Sequence, residues 1–148
     1  MVGFLWLACV VAMATEAAAL NFTDGIVSHA CLECICKRAS GCQNDPCKMD
    51  LGSLSCGYFQ IKEAYYQDCR EYAPLTITKS WEQCSADVQC ASQCVQNYMA
   101  RYVSHTNCSD TCETYAREHN GGPKGCAQAS TLGYWHEVQH ETGCQNVP

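Results

Sequence analysis

Residues 49–62 read MDLGSLSCGYFQIK and form the most distinctive stretch of the chain. Glycine and serine residues there separate five apolar side chains, which are Leu51, Leu54, Tyr58, Phe59 and Ile61. Small turn-forming residues between single apolar residues are typical of short strands joined by tight turns. With the Asp45-Pro46 turn signal just before it, the stretch predicts a short hairpin or irregular sheet.

Apolar residues at helical spacing on both sides of this stretch predict helices. Upstream, Thr23 or Asp24 can cap a helix whose apolar positions run from Ile26 to Ile35 and which should end near Ser40-Gly41. Downstream, the same reasoning predicts helices over residues 62–69, 80–84, 87–102, 112–119 and 131–138. The chain is therefore expected to be an α+β protein, mainly helical with a small sheet.

The cysteine content indicates which structural class and which cellular compartment the protein belongs to. The 148 residues include 15 cysteines, which indicates a disulfide scaffold from an oxidising compartment. An apolar run from Val2 to Met13 and the small residues Ala17 to Ala19 are typical of a cleavable secretory signal peptide. Cleavage would remove Cys9 and leave an even number of cysteines. We therefore expect a signal peptide at residues 1–19, one domain at residues 20–148, and a secreted, extracellular protein.

The cluster Cys31-x-x-Cys34-x-Cys36 admits a second interpretation, as a zinc, iron–sulfur or redox site. Thiolate metal sites belong mainly to reducing compartments, whereas even cysteine counts in secreted domains indicate bridges. We therefore predict disulfides, with no metal and no cofactor. The spacing alone leaves the pairing of the cysteines open.

Charge and hydropathy exclude two classes of partner. The chain has 9 basic and 15 acidic residues and a net charge of −6. A nucleic-acid-binding domain has a basic excess on one face, and a membrane-disrupting helix is rich in lysine and arginine. After the first residues, no segment reaches the roughly 20 apolar residues of a membrane-spanning helix. We therefore predict no nucleic-acid partner and no membrane partner.

Four motifs resemble those of the invertebrate-type lysozymes, the family that includes the leech destabilases. They are CLECIC at 31–36, SGC at 40–42, MDLGSLSCGYFQIK at 49–62 and HNGGP at 119–123, followed by Gly125-Cys126. The resemblance implies a lysozyme-like fold of helices around a small antiparallel sheet, with a cleft for a β-1,4-linked aminosugar chain of the bacterial cell wall. It also implies the bridges Cys36–Cys42, Cys47–Cys56 and Cys84–Cys90.

The resemblance assigns two catalytic carboxyl groups, and the chain has one of them. A glycosidase needs one carboxyl group as general acid and a second as nucleophile or electrostatic stabiliser. Asp50 matches the second group, whereas Ala39 occupies the position of the general acid. Glu33 lies six residues earlier, which places it about 240° away around a helix, and Asp45 is expected in a turn beside Pro46, as a solvated surface acid. We therefore expect muramidase activity to be strongly reduced or absent.

The resemblance also implies further site residues. Sugar contacts are expected from the cleft residues Lys62, Tyr65, Tyr98, His119, Asn120 and Gly121. Destabilase-type isopeptidase activity would use Ser55 as nucleophile, Lys62 as base and His119 nearby, which is chemically coherent because a desolvated lysine can activate a serine. The alternatives are a backbone-bonded Ser55, a sugar-binding Lys62, and a His119 that acts only as a helix-terminal cation. The function classes are thus a secreted antibacterial hydrolase, a non-catalytic peptidoglycan- or chitin-binding protein, and a disulfide-rich protein without sugar affinity.

Overall fold

A three-stranded antiparallel sheet lies between the first and second helices of the computed structural model. The structure describes residues 20–72 and 76–148, so the signal peptide expected at residues 1–19 lies outside the described residues. The strands are β1 (Lys48–Asp50), β2 (Ser53–Cys56) and β3 (Ile61–Lys62), in the order β1-β2-β3. The α-helices within the described residues are α1 (His29–Ser40), α2 (Glu63–Arg70), α3 (Trp81–Ser85), α4 (Val88–Tyr102), α5 (Cys112–Gly121) and α6 (Leu132–His140).

The first hairpin explains why the 49–62 stretch is so recognisable. Asp50 pairs with Ser53, so the loop contains only Leu51 and Gly52, with φ of 47° and 84°. Two-residue hairpin loops with positive φ at both positions match the twist of the flanking strands. The sheet then continues through Gly57, whose φ of 72° lets the backbone turn beside Ser85. The predicted hairpin and small sheet are confirmed.

Helix α1 begins later than the sequence predicts. Its N-cap is Ser28, whose hydroxyl accepts the Cys31 N–H at 3.2 Å, and not Thr23 or Asp24. The backbone before it is instead held by Gln96, whose side chain bonds the Val27 N–H and two carbonyls of the same segment. Because a distant side chain satisfies these backbone groups, the segment has no need of helical hydrogen bonds. The predicted end at Ser40-Gly41 is confirmed by a left-handed C-cap at Gly41.

The remaining helices agree with the patterns that predicted them. Ser80 forms a capping box with Gln83, and Asp87 caps α4, the longest helix described. Helix α4 is buried along most of its length, and its Val95 and Met99 join the hydrophobic core with residues from α1 and the sheet region. Helix α5 ends at the glycine pair of the HNGGP motif. The α+β, lysozyme-like, mainly helical architecture is therefore confirmed.

Seven disulfides connect all fourteen cysteines from Cys31 onward. The three bridges that the resemblance implied are present, and they are joined by Cys31–Cys112, Cys34–Cys144, Cys69–Cys94 and Cys108–Cys126. The first two of these attach α1 to α5 and to the C-terminal tail. The disulfide interpretation of the Cys31 cluster is confirmed, because each of its three cysteines forms a bridge. No helix among the described residues is long and apolar enough to cross a membrane.

Candidate functional site

A cleft of about 570 Å³ lies between the sheet and the ends of several helices. It is bordered by the C-terminal ends of α1 and α5, by all three strands, and by side chains from α2, α4 and α6. Its lining includes Arg38, Ala39, Asp50, Ser55, Lys62, Tyr65, Asp68, Tyr98, His119, Asn120, Pro123 and Tyr134. The fold thus brings together, in one cleft, residues that are more than 90 positions apart in the chain.

Asp50 is the last residue of β1, and its carboxylate faces the lysine of β3. The Lys62 ammonium lies 3.2 Å from Asp50 Oδ2 and also donates to the Asp50 carbonyl at 2.7 Å. Both side chains line the cleft and both remain partly exposed. Asp50 is therefore a charged acceptor held in position by a cross-sheet ion pair.

Ala39 lies in the last turn of α1 and contributes only a methyl group to the cleft. Its neighbour Arg38 forms an ion pair with Glu137 and lies over the ring of Tyr134. The two acidic residues considered as substitutes are engaged elsewhere. Glu33 pairs with Lys37 at 2.7 Å, Asp45 pairs with Lys48 at 3.2 Å, and neither acid lines the cleft.

Asp68 is a second carboxylate on the cleft wall. It lies on α2, one helical turn after Tyr65. The Arg101 guanidinium approaches Asp68 Oδ1 at 3.4 Å and donates to the Asp68 carbonyl at 2.9 Å. The Tyr102 hydroxyl also donates to this carboxylate. Asp68 is therefore already engaged by two partners on the side of α4.

Two tyrosines and a histidine form an aromatic wall. The rings of Tyr65 and Tyr98 stack with centroids 3.6 Å apart and planes within 9°, and His119 meets Tyr65 edge-on. The His119 Nε2–H donates to the Phe59 carbonyl at 2.9 Å, which leaves Nδ1 to accept from the Tyr65 hydroxyl at 3.3 Å. Burial lowers the pKa of His119 to about 4, and its bond to the Phe59 carbonyl opposes this shift only in part. At neutral pH the imidazole is therefore uncharged, and the alternative of a helix-terminal cation does not apply.

Most residues of the HNGGP motif line the cleft, and one packs against the protein interior. Asn120, Gly122 and Pro123 line the cleft together with His119. Gly121, which the sequence placed among the sugar contacts, is not among the lining residues. A Cβ at Gly121 would lie 2.5 Å from the Thr131 methyl, so the absence of a side chain there permits close packing against Thr131. Gly122 is the glycine of this motif that borders the cleft.

Ser55 and Lys62 lie directly opposite each other in the β2–β3 register. Their polar atoms, however, have other partners. The buried Ser55 hydroxyl donates to Gln60 Oε1 at 3.1 Å, and the Lys62 ammonium contacts Asp50. The two residues proposed for isopeptidase chemistry are therefore neighbours in the sheet with separate hydrogen-bonding partners.

Comparison with known proteins identifies the family. The family model described as Destabilase matches residues 28–141. The chain belongs to the Destabilase family. It is 57% identical to the lysozyme of Meretrix lusoria over 126 residues, which is 85% of this chain and 99% of that protein. It is 51% identical to the invertebrate-type lysozyme of Ruditapes philippinarum, covering 86% of this chain and 91% of that protein.

Solved structures agree with the family. The crystal structure of Tapes japonica lysozyme superimposes with a TM-score of 0.79 at 51% identity, covering 86% of this chain and 100% of that one. Meretrix lusoria lysozyme in complex with Aeromonas hydrophila PliI gives a TM-score of 0.79 at 57% identity, covering 86% and 100%. This Destabilase-family chain therefore has the lysozyme fold that its motifs implied.

Two acidic residues of this Destabilase-family chain were missed by the sequence analysis. Asp68 could have been found from its position three residues after Tyr65, because such residues share a helix face. Glu118 gave no such signal, because a glutamate in a helix is usually solvent-exposed. It is fully buried, and burial raises the pKa of its carboxyl group; the Cys126 N–H donates to its Oε1 at 3.4 Å, and the backbone N–H groups of Lys124 and Gly125 nearby also oppose that rise. Those contacts direct Glu118 toward the turn after α5, and it does not line the cleft.

Proposed function

We propose that this protein is a secreted invertebrate-type lysozyme homologue that binds bacterial peptidoglycan in antibacterial defence or digestion. Its action on the β-1,4 linkage between N-acetylmuramic acid and N-acetylglucosamine is slow or absent. The observation that carries this proposal is the methyl group of Ala39 on a cleft wall that otherwise retains Asp50 and its Lys62 partner.

Hydrolysis is expected to be impaired because the cleft has, among its described residues, no free carboxyl group that can donate a proton to the leaving oxygen. Glycoside cleavage needs a carboxylic acid to protonate the leaving oxygen and a carboxylate to stabilise or attack the developing cation. Asp50, paired with Lys62, suits the second role, and Ala39 has no proton to donate. Asp68 is bonded to Arg101 and Tyr102. Glu118 has the desolvated environment that favours a protonated acid, but it has no access to the cleft.

The binding half of the proposal rests on the groups that remain. The partly exposed Tyr65 ring, held by stacking on the buried Tyr98 ring, offers an apolar surface of the kind against which a sugar ring can pack. Lys62 and Asn120 supply hydrogen-bond donors for hydroxyl and N-acetyl oxygens. His119 is neutral, so it adds polarity without the desolvation cost of a buried charge. None of these groups depends on residue 39.

Isopeptidase action is the second candidate, and the family model named Destabilase brings it into consideration. The contacts of the proposed dyad weigh against it. A lysine acting as base must be neutral and must face its serine, whereas Lys62 lies against a carboxylate and the Ser55 hydroxyl donates to Gln60. We therefore rank this activity below peptidoglycan binding.

The test separates binding from hydrolysis. The purified protein is incubated with insoluble peptidoglycan, and both the sedimented protein and the released reducing ends are measured. Ala39→Glu is compared with Ala39→Gln, which has nearly the same size but no acid. Because general acid catalysis contributes about 10²- to 10⁴-fold, we expect Ala39→Glu alone to raise reducing-end release by that order. Adding Asp50→Asn to Ala39→Glu should remove the gain.

Each outcome has a defined meaning for the proposal. Sedimentation of all the variants, with release confined to Ala39→Glu, is the expected result. Robust release by the unmodified protein would overturn the claim that hydrolysis is impaired. Failure of the unmodified protein to sediment with peptidoglycan would overturn the binding function itself.

A further inference from the structure

A second cavity of about 320 Å³ lies beside the cleft. Its lining residues are Arg101, Tyr102, His105, Thr106, Pro123 and Lys124. Pro123 lines both cavities, and Arg101 is bonded to Asp68, which lines the cleft. The two cavities therefore lie next to each other and share a wall at Pro123.

The second cavity is basic although the protein is acidic. The chain has a net charge of −6 with its histidines neutral, yet the six lining residues include the cations Arg101 and Lys124 and no acid. Lys124 forms no ion pair with any described residue, whereas most other lysines and arginines do. Asp68, which lines the neighbouring cleft, neutralises part of the charge of Arg101. The net excess of positive charge in this cavity suits a ligand that carries carboxylates.

Two of the basic groups are held in place by contacts made before any ligand arrives. At Lys124 only the backbone is set, with a φ of 72° beside the buried Glu118. Arg101 lies over the Tyr102 ring at 5.2 Å. The His105 Nδ1–H donates to the Arg101 carbonyl at 2.8 Å. Such preorganisation lowers the entropy that binding must overcome, and it applies to Arg101 and His105, whereas the exposed Lys124 ammonium forms no ion pair with any described residue.

We propose that this cavity binds the peptide stem that branches from the muramic acid sugars of peptidoglycan, through the carboxylates of that stem. The proposal rests on the proposed function, since it requires the glycan strand to occupy the cleft. The stem is a short peptide with free carboxylates and small methyl side chains. Lys124 and Arg101 can pair with the carboxylates, while the rings of Pro123 and Tyr102 can pack against the methyl groups. The shared wall at Pro123 lets one ligand engage both cavities.

The test compares two soluble fragments that differ only in the stem. One is a peptidoglycan tetrasaccharide with its tetrapeptide stems, and the other is the same tetrasaccharide after an amidase has removed them. Dissociation constants are measured for the unmodified protein, for Lys124→Glu, and for Arg70→Glu. Arg70 is the matched control, because it also lacks an ion pair among the described residues and does not line either cavity. Thermal unfolding of each variant verifies its fold.

We expect the unmodified protein to bind the stem-bearing fragment about three- to tenfold more tightly than the stripped one, as for one or two partly exposed charge contacts. Lys124→Glu should abolish that preference without changing the affinity for the stripped fragment, and Arg70→Glu should change neither. Added salt should reduce the preference. Equal affinity of the unmodified protein for both fragments, or a Lys124→Glu effect on the stripped fragment, would overturn the stem site and leave the proposed function intact. Absence of binding to either fragment would overturn both.

Discussion

Acid should destabilise this protein through His119, because the folded state holds that imidazole in its neutral form. Burial between Phe59 and Tyr65 lowers the pKa of His119 from 6.5 to about 4. The unfolded chain therefore binds a proton near pH 6.5, whereas the folded chain resists it until about pH 4. The stabilisation from His119 is thus fully present above pH 6.5 and is lost as the pH falls toward 4.

The magnitude follows from the size of that pKa difference. One pKa unit corresponds to 1.36 kcal/mol. Linkage between the two pKa values therefore removes about 2 kcal/mol of unfolding free energy by pH 5 and about 3 kcal/mol by pH 4. A change of this size is a large part of the stability of an ordinary domain. It should be measurable even in a chain with seven disulfides.

The assay is guanidinium chloride unfolding at pH 7, 6, 5 and 4, with the disulfides intact, for the unmodified protein and for His119→Gln. Glutamine keeps an N–H donor for the Phe59 carbonyl but cannot bind a proton in this range. Glu118 acts in the opposite sense, because its raised pKa gives stability at low pH that is lost as the pH rises. Glu118 is present in both proteins, so its effect cancels in their difference. The unfolding free energy of the unmodified protein minus that of His119→Gln should fall by about 3 kcal/mol between pH 7 and pH 4. Unfolding free energies that change in parallel with pH for the two proteins would refute the reasoning.

Two further predictions concern the disulfides and the proposed serine–lysine dyad. Replacing Cys34 and Cys144 by serine reopens a loop of roughly 25 residues, since Cys31–Cys112 and Cys108–Cys126 stay closed. It should cost about 3.5 kcal/mol of unfolding free energy, against about 2 kcal/mol for the short Cys84–Cys90 loop. Equal losses in calorimetry would contradict the loop-entropy explanation. With an ε-(γ-glutamyl)-lysine substrate, the unmodified protein and Ser55→Ala should release amine at the same background rate, because the Ser55 hydroxyl donates to Gln60 and Lys62 faces Asp50. Serine-dependent release would restore the isopeptidase hypothesis.

Local sequence signals predicted most of the fold because most of its elements are locally determined. The Ser80 capping box, the Asp87 cap and the Leu51-Gly52 turn each depend on residues within a few positions of one another. The start of α1 was wrong for the opposite reason. Gln96, about 70 residues away, takes over the backbone hydrogen bonds of the segment after Thr23. No pattern near Thr23 contains that information.

The residues of the candidate site likewise fall into those that local motifs predict and those that depend on tertiary packing. Motifs identified Asp50, Lys62 and His119, which do lie together on the cleft, and the cysteine register placed Ala39. The pairing of Asp68 with Arg101, and the burial of Glu118 beneath the turn after α5, arise from the packing of α2, α4 and α5. Charged residues on helices usually face solvent, so periodicity alone gives no reason to bury Glu118. Its spacing places Asp68 beside Tyr65, but the pairing of Asp68 with Arg101 depends on how α2 packs against α4.

In the proposed function, binding and proton donation depend on different parts of this molecule, so a lysozyme scaffold could keep its cleft without a general acid at position 39. The aromatic wall comes from α2, α4 and α5, and the ion pair of Asp50 comes from the sheet, whereas residue 39 belongs to the last turn of α1. The Ala39 methyl group takes part in none of the hydrogen bonds and ion pairs that hold Asp50, Lys62 and His119. Loss of the acid is therefore expected to remove catalysis without disturbing the cleft. The converse also follows, since a single substitution at Ala39 should be enough to restore hydrolysis.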